Sequence, residues 1–258
     1  MITIKNAKEF EKMAYAGATV GLLLRMVREA AAPGVTLLEL DAIAAELIRG
    51  RGCTPSFLGY HGYPAHICTS PNDVIVHGIP SSQRLVEGDI LSIDAGAIFE
   101  GYHGDAAVTF GIGELPRPVQ RLLETTEAAL RAGIEQVREG ARLGDVGHAV
   151  QREAERQHLG VVREYVGHGI GRQMHEDPQV PNYGTKGTGL KLRRGMAICI
   201  EPMFNMGGEA TKVDADGWTV KTADGSLSAH FEHTIGLTDG GVRVLTQEPD
   251  LGEGAHGG

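Results

Sequence analysis

The sequence is short of cysteine, of basic residues and of long apolar runs, and each shortage closes off a class of protein. Its 258 residues include 3 cysteines, Cys53, Cys68 and Cys199, with no CxxC spacing. An odd, scattered set supports neither a disulfide framework nor a zinc ribbon, so a reducing compartment and a cytoplasmic location are expected. No apolar stretch approaches the ~20 residues that span a bilayer, and the opening MITIKNAKEFEKM lacks the basic-then-apolar order of a secretory signal. Basic residues are outnumbered. Against 33 Asp and Glu stand 24 Lys and Arg, a net charge of -9, which argues against a nucleic-acid partner because phosphate contacts need clustered cations. There is no heptad pattern, and a monomer is expected. What is present, 41% hydrophobic and 22% charged residues, is ordinary globular composition on a chain long enough to bury a sizeable core.

Apolar residues at helical spacing predict a helix from about Lys5 to Ala32, ended by Pro33-Gly34. Thr36 with Glu39 forms a capping box, so a second helix is expected from there to Gly50 and Gly52. Residues 54–110 are rich in β-branched runs broken by Gly, Pro and Asn, as strands and turns are. The order then repeats. A helix is expected over Pro118 to Glu139, Gly140 breaks it, and another runs from about Asp145 to His158. Strands follow at Val161 to Val166, Met196 to Ile200, Trp218 to Thr222 and Leu227 to Thr238. GVTLLELDAI and GARLGDVGHA share an apolar and acidic pattern at an offset of 106, with Leu37 matching Leu143 and Glu39 matching Asp145. Any two amphipathic helices look alike to this degree. If the repeat is real, it means two helix-helix-sheet halves around one shared sheet. No long linker separates them, so residues 1–250 read as one domain and the Gly-rich 251–258 as a frayed tail.

The chemistry lies in the carboxylates. DILSIDAGAIFEGYHGDAAVTF, from Asp89, reads as two strands joined by a turn near Phe99 to Gly101. A hairpin centred between Phe99 and Glu100 places Asp94 opposite Asp105 on one face. Two like charges in that position are destabilising unless a cation lies between them. Glu201 ends the apolar run MAICI just before Pro202, and Glu232 sits inside LSAHFEHTIGL, where Ser228, His230, Glu232 and Thr234 share a face. A glutamate in a buried strand needs a partner, and no Lys or Arg lies within five positions of Glu232. His168 lies in GHGIG, a Gly-rich turn where the glycines leave room for a ligand. His175 follows seven residues later, and His77 in VHGIP has a similar setting. His103 and His233 read as pointing to the face opposite the carboxylates.

The order Asp94, Asp105, His168, Glu201, Glu232, in the contexts IDAG, GDAAVTF, GHGIG, IEP and EHT, resembles the type I methionine aminopeptidases. The likeness runs from EFEKMAYAG to FEHTIGLT and is most specific in LGYHGYPAHICTSPNDVIVHGIP. The resemblance implies the α/β pita-bread fold, a curved antiparallel sheet flanked by helices in pseudo-two-fold halves. It implies removal of the initiator methionine from nascent chains when the second residue is small. Asp94 and Glu232 resemble the carboxylates touching both of two divalent ions, with Glu232 bridging. Asp105 resembles the second-site ligand, and His168 with Glu201 the ligands of the first. His77 and His175 resemble the two histidines that hold the substrate, and Tyr60, Tyr63, Cys68 and Trp218 the walls of the methionine pocket. Met174 stands where members often carry an aromatic residue, so the pocket keeps a soft wall of altered shape. Asn72, Val74 and Ser228 match positions that hold a monovalent cation in some members.

Five ligands, four of them carboxylate, favour Mn, Fe(II), Co or Mg over a thiolate-type zinc site, and two divalent ions cancel four carboxylates. The expected reaction is hydrolysis by a hydroxide held between the ions, with Glu201 as base, His175 on the developing oxyanion and His77 at the scissile amide. The rival within the same fold is an Xaa-Pro peptidase, which usually carries a large N-terminal domain. The rival from another class is a binding module of this fold without catalysis, which typically loses ligands; all five are present here.

Overall fold

The structure is a computed structural model that describes residues 2–247; the Gly-rich stretch 251–258 lies outside the described residues. Helix α1 (Ala7–Ala30) begins at Asn6, whose side chain accepts the Glu9 N–H while the Asn6 N–H donates to the Glu9 carboxylate. Helix α2 (Leu37–Gly50) opens on the same device, Thr36 with Glu39. Helices α3 (Arg117–Glu135) and α4 (Leu143–Arg156) follow after the first set of strands. Helix α3 stops short of the expected Glu139 because its last turn tightens, with Gln136 and Val137 donating to carbonyls three residues back.

The repeat is real at the level of backbone hydrogen bonds. Helices α2 and α4 each have 14 residues and start at Leu37 and Leu143, the offset read from the sequence. Ahead of each lies a left-handed glycine, Gly34 (φ 93°) and Gly140 (φ 87°). Their N–H groups donate to Leu85 O and Leu192 O respectively. Leu37 N–H then reaches Gln83 O, as Leu143 N–H reaches Leu190 O. Each half has its own apolar core. Val20, Leu23, Val27, Leu40, Ile48, Leu91 and Ile93 pack in the first half. Leu122, Leu130, Val146, Val150, Ile198, Ile200 and Phe204 pack in the second. Each such side chain fully buried contributes about 1.5–3 kcal/mol. Helix α1 lies directly on the first hairpin: a Cβ at Gly104 would stand 2.5 Å from Gly17 N, so glycine is needed at that crossing.

All strand ladders among the described residues are antiparallel. The first hairpin joins Ile90–Phe99 to Tyr102–Gly111, with Phe99 paired to Tyr102. Its centre falls between Glu100 and Gly101, one position beyond the expected one. Both residues have positive φ (46° and 79°), the conformation a two-residue hairpin turn of matching twist demands. In the second half the expected strand 227–238 is two strands, Ser228–His230 and His233–Thr238. They pair with Met203–Asn205 and Ala197–Ile200. Val161 to Val166 shrinks to Gly160–Val161, and Trp218 to Thr222 to Val220–Thr222. No helix among the described residues is long and apolar enough to cross a membrane.

Candidate metal centre and substrate cavity

Because the hairpin turns on Glu100-Gly101, Asp94 pairs with Ala107 and Asp105 with Gly96. The two aspartates are therefore diagonal neighbours, not directly opposed. A shift of two residues in partner keeps both on the same face, and their carboxyl groups come within hydrogen-bonding reach of each other.

The directly opposed pair is in the other half. The ladder register runs from Ile200 with His233 to Met203 with His230, which places Glu201 opposite Glu232 and Pro202 opposite Phe231. Proline has no N–H to give, so the ladder opens there to a single bond, from the Phe231 N–H to Pro202 O at 3.3 Å. Into the opening comes the first half. Glu232 N–H donates to Ala107 O at 2.9 Å, and Thr234 Oγ1 donates to Asp105 O at 2.8 Å while accepting Asp105 N–H at 3.0 Å. The stitching between halves thus passes through the carboxylate-bearing residues themselves.

His168 lies in the short strand Gly167–Gly169 rather than in a turn. The flanking glycines serve close backbone packing: a Cβ at Gly167 would meet Cys199 O at 2.3 Å, and one at Gly169 would meet Asp177 O at 2.1 Å. His168 Nδ1–H donates to Gly169 O at 2.9 Å, which fixes the tautomer and leaves Nε2 with a free lone pair. That nitrogen stands 3.6 Å from Glu201 Oε1 and 3.8 Å from Asp105 Oδ2. These separations are too long for hydrogen bonds. They suit donors to one ion, since two ligands bound at roughly 2.1 Å stand roughly 3–4 Å apart.

The electrostatics agree. Asp94, Asp105, Glu201 and Glu232 are all shifted toward the protonated form, first by burial and, for the last three, by repulsion from the other carboxylates. Burial pushes His168 down to about 3, so it is a neutral donor. Asp94 Oδ1, Asp105 Oδ1 and Glu232 Oε1 are buried with no hydrogen-bond partner. Four clustered carboxylates, three of them with an orphaned buried oxygen, and a bare imidazole nitrogen fit two divalent cations by charge and by donor type. Cys199 Sγ also lies close to Asp105, His168 and Glu232. Burial and the Glu232 charge hold its thiol well above its ordinary value, so it stays protonated and is a poor ligand.

The five carboxylate and histidine side chains line a cavity of about 460 Å³ with Tyr60, Tyr63, Cys68, Met174, Trp218, His77 and His175. Phe57, Tyr63, Cys68 and Met174 form its apolar wall, with Tyr60 and Trp218 against them. Tyr63 is locked by its hydroxyl, 2.9 Å from Gly78 O and 3.1 Å from Ile67 O. Burial and the neighbouring Asp94 keep Cys68 a thiol. His77 adopts φ 62°, a left-handed conformation that non-glycine residues enter chiefly at functional sites. His175 stacks on Tyr60, whose hydroxyl is 2.8 Å from Nδ1.

Several neighbours of the site went unread in the sequence. Phe57, His61, Val76, Tyr165 and Met203 also line the cavity, with Tyr165 edge-on to His77 at 5.7 Å. His103 shares Asp105's face, as two residues apart in a strand must, but its ring binds Ser56 Oγ at 2.9 Å and does not line the cavity. His233 points away, to Thr246 Oγ1. His230 brings Nε2 within 3.8 Å of Glu201 Oε2 and was legible from the alternation that placed it on Glu232's face. Asn72 and Ser228 meet outside the cavity, the Ser228 N–H donating to Asn72 O at 2.9 Å, and Val74 begins the adjoining strand Val74–Val76.

Residues 11–239 match the profile of metallopeptidase family M24. The chain is 53% identical over 249 residues to a methionine aminopeptidase of Mycobacterium tuberculosis, covering 94% of each. Its fold superposes on the crystal structure of a methionine aminopeptidase from Thermotoga maritima with a TM-score of 0.94 at 46% identity, over 96% of this chain and 100% of that one. A prolidase from Pyrococcus furiosus shares the fold alone, at 21% identity and a TM-score of 0.76, and this chain covers 66% of it. The curled antiparallel sheet with its four helices is therefore the pita-bread fold, and the chain belongs to the methionine aminopeptidases of metallopeptidase family M24.

Proposed function

We infer that the chain hydrolyses the peptide bond after an N-terminal methionine, preferring a small second residue, with two divalent ions bound between Asp94, Asp105, His168, Glu201 and Glu232. The observation that carries this is the convergence of the carboxylates and the bare His168 nitrogen on one cavity walled by Tyr63, Cys68, Met174 and Trp218. Those walls suit an unbranched thioether, a soft side chain that packs well against sulfur and aromatic rings. Co, Mn, Fe(II), Zn and Mg are the candidate ions. A cytoplasmic, monomeric enzyme that meets nascent chains near the ribosome belongs to the same reading, as does a monovalent cation near Asn72, Val74 and Ser228.

Two divalent ions, when bound, supply Lewis acidity and a nucleophile drawn from water at neutral pH. The chain's own residues do the rest. Glu201 takes the proton released in the attack and passes it toward the leaving amine. Tyr60, kept protonated by burial and the Asp105 charge, donates its O–H to His175 Nδ1. That leaves His175 Nε2–H as a donor toward the oxyanion that develops on the carbonyl. His77, neutral because burial pushes it down to about 4, contacts the scissile amide. The apolar walls fix the methionine side chain and so the carbonyl's position.

The test is methionine release from Met-Ala-Ser after chelator-stripped protein is reloaded with Mn or Co, with an Xaa-Pro peptide in parallel. Metal-dependent release, absent in Asp94→Asn, is the expected outcome. Cleavage of the Xaa-Pro peptide alone would move the substrate to the prolidase class.

A further inference from the structure

One buried side chain at this centre has no part in the reading above. His230 ends the strand Ser228–His230 opposite Met203 and is 1% exposed. Its Nδ1 and Nε2 are both buried and neither makes a hydrogen bond. Nε2 lies 3.8 Å from Glu201 Oε2 and 3.9 Å from Glu232 Oε2, and the three residues bring donor atoms within 4.8 Å of one another. These two distances are within about 0.2 Å of the separations His168 keeps from Glu201 Oε1 and Asp105 Oδ2, 3.6 and 3.8 Å. The two imidazoles thus address Glu201 through different oxygens. The register explains how. The opening of the ladder at Pro202 and Phe231 leaves His230 and Glu232 flanking the gap, with Glu201 across from it.

We propose that His230 is a sixth protein donor to the metal centre, its Nε2 coordinating an ion held by Glu201 and Glu232 through the Glu201 oxygen that His168 does not face. This rests on the two-ion reading above. A second imidazole makes the donor set less purely oxygen, which raises affinity for Co(II) and Zn(II) relative to Mg(II). It also satisfies one of the two ring nitrogens that the fold otherwise buries bare.

X-ray absorption on protein loaded with two equivalents of Co(II) counts imidazole ligands independently of turnover. The wild-type chain is expected to show two imidazoles per pair of ions, falling to one in His230→Gln, whose folding is checked by circular dichroism. Calorimetric titration of the same variant is expected to show cobalt bound 10–100-fold more weakly. Identical imidazole scattering from cobalt-loaded wild type and His230→Gln would overturn the assignment of His230 while leaving the two-ion centre standing. Failure of the wild-type chain to take up cobalt at all would overturn both.

Discussion

The two halves present their carboxylates on hairpins that begin alike and end differently. In the first half, Ile90–Phe99 and Tyr102–Gly111 pair without interruption down to a two-residue turn. In the second, Ala197–Ile200 and His233–Thr238 pair in the same sense, but the ladder opens at Pro202 and the chain makes a long excursion before His230 returns it. The continuous ladder carries the short carboxylates, Asp94 and Asp105, because every backbone atom beneath them is fixed. The opened one carries the longer pair, Glu201 and Glu232, which reach inward from a backbone held at Pro202 and Phe231 by one hydrogen bond. The excursion also delivers Met203 and Trp218 to the cavity. One half is thus a rigid floor, and the other has traded regular pairing for reach and for substrate contacts.

Glu232 is where the halves meet, so Glu232→Gln should break the comparison most severely. Methionine release is expected to fall below ~10⁻³ of wild type, with metal analysis showing fewer than two ions per chain. Two tightly bound ions in an active Glu232→Gln protein would contradict the placement. Glu201, across the ladder from it, has a second duty as base. Glu201→Gln should lower kcat by ~10²–10⁴-fold with KM little changed, and steady-state kinetics on a metal-loaded variant would read the split.

A pH series on the ion-free protein sharpens the contrast between carboxylates and histidines. The buried carboxylates keep protons that the unfolded chain releases near pH ~4, so their contribution to stability falls as pH rises through their elevated folded values. The buried histidines His77, His168 and His230 have folded values of about 3 to 4 against an ordinary 6.5, so their contribution rises with pH up to 6.5 and then ends. The two slopes oppose below 6.5, and only the carboxylate slope remains above it. Thermal denaturation in chelator above pH 6.5 should therefore show the Tm falling as pH rises through the carboxylates' folded values, that of Asp94 being pushed up to about 7. Saturating metal should abolish that drop, because the ions replace the protons. A rising Tm in chelator over this interval would refute the account.

The sequence made the helices legible through local chemistry, since a capping box such as Thr36 with Glu39 acts within four residues. Asp94 and Asp105 were legible as a pair on one face because strand periodicity survives an error of two in register. Their exact partners were not, since the turn's centre depends on which residues accept positive φ, and Glu100 gives no hint of it. The opposition of Glu201 and Glu232 was hidden for another reason. It depends on a register set by strands far apart in the chain, and no local pattern reports that. His168 drew notice through its flanking glycines, but those glycines answer to the Cys199 and Asp177 backbone rather than to room for a ligand. Phe57 and Tyr165 were missed because an aromatic residue in a loop carries no mark of the cavity it joins.

The smallest expected difference lies at the helix starts that repeat between the halves. Thr36 supplies both parts of its cap, its hydroxyl accepting the Glu39 N–H at 3.2 Å while its own N–H donates to Glu39 at 2.7 Å. Arg142, its counterpart, has no side-chain acceptor, and only the return bond from its N–H to Asp145 Oδ2, at 2.8 Å, is made. Thr36→Ala should therefore cost about 1 kcal/mol in urea denaturation, and Arg142→Ala clearly less. Asp145 carries the second helix start in another way, since its other oxygen accepts the Gly187 N–H at 2.7 Å and ties the helix to a loop. Asp145→Ala should thus destabilise by more than Arg142→Ala. Equal losses for Thr36→Ala and Arg142→Ala would mean that the two starts are held by packing rather than by their caps.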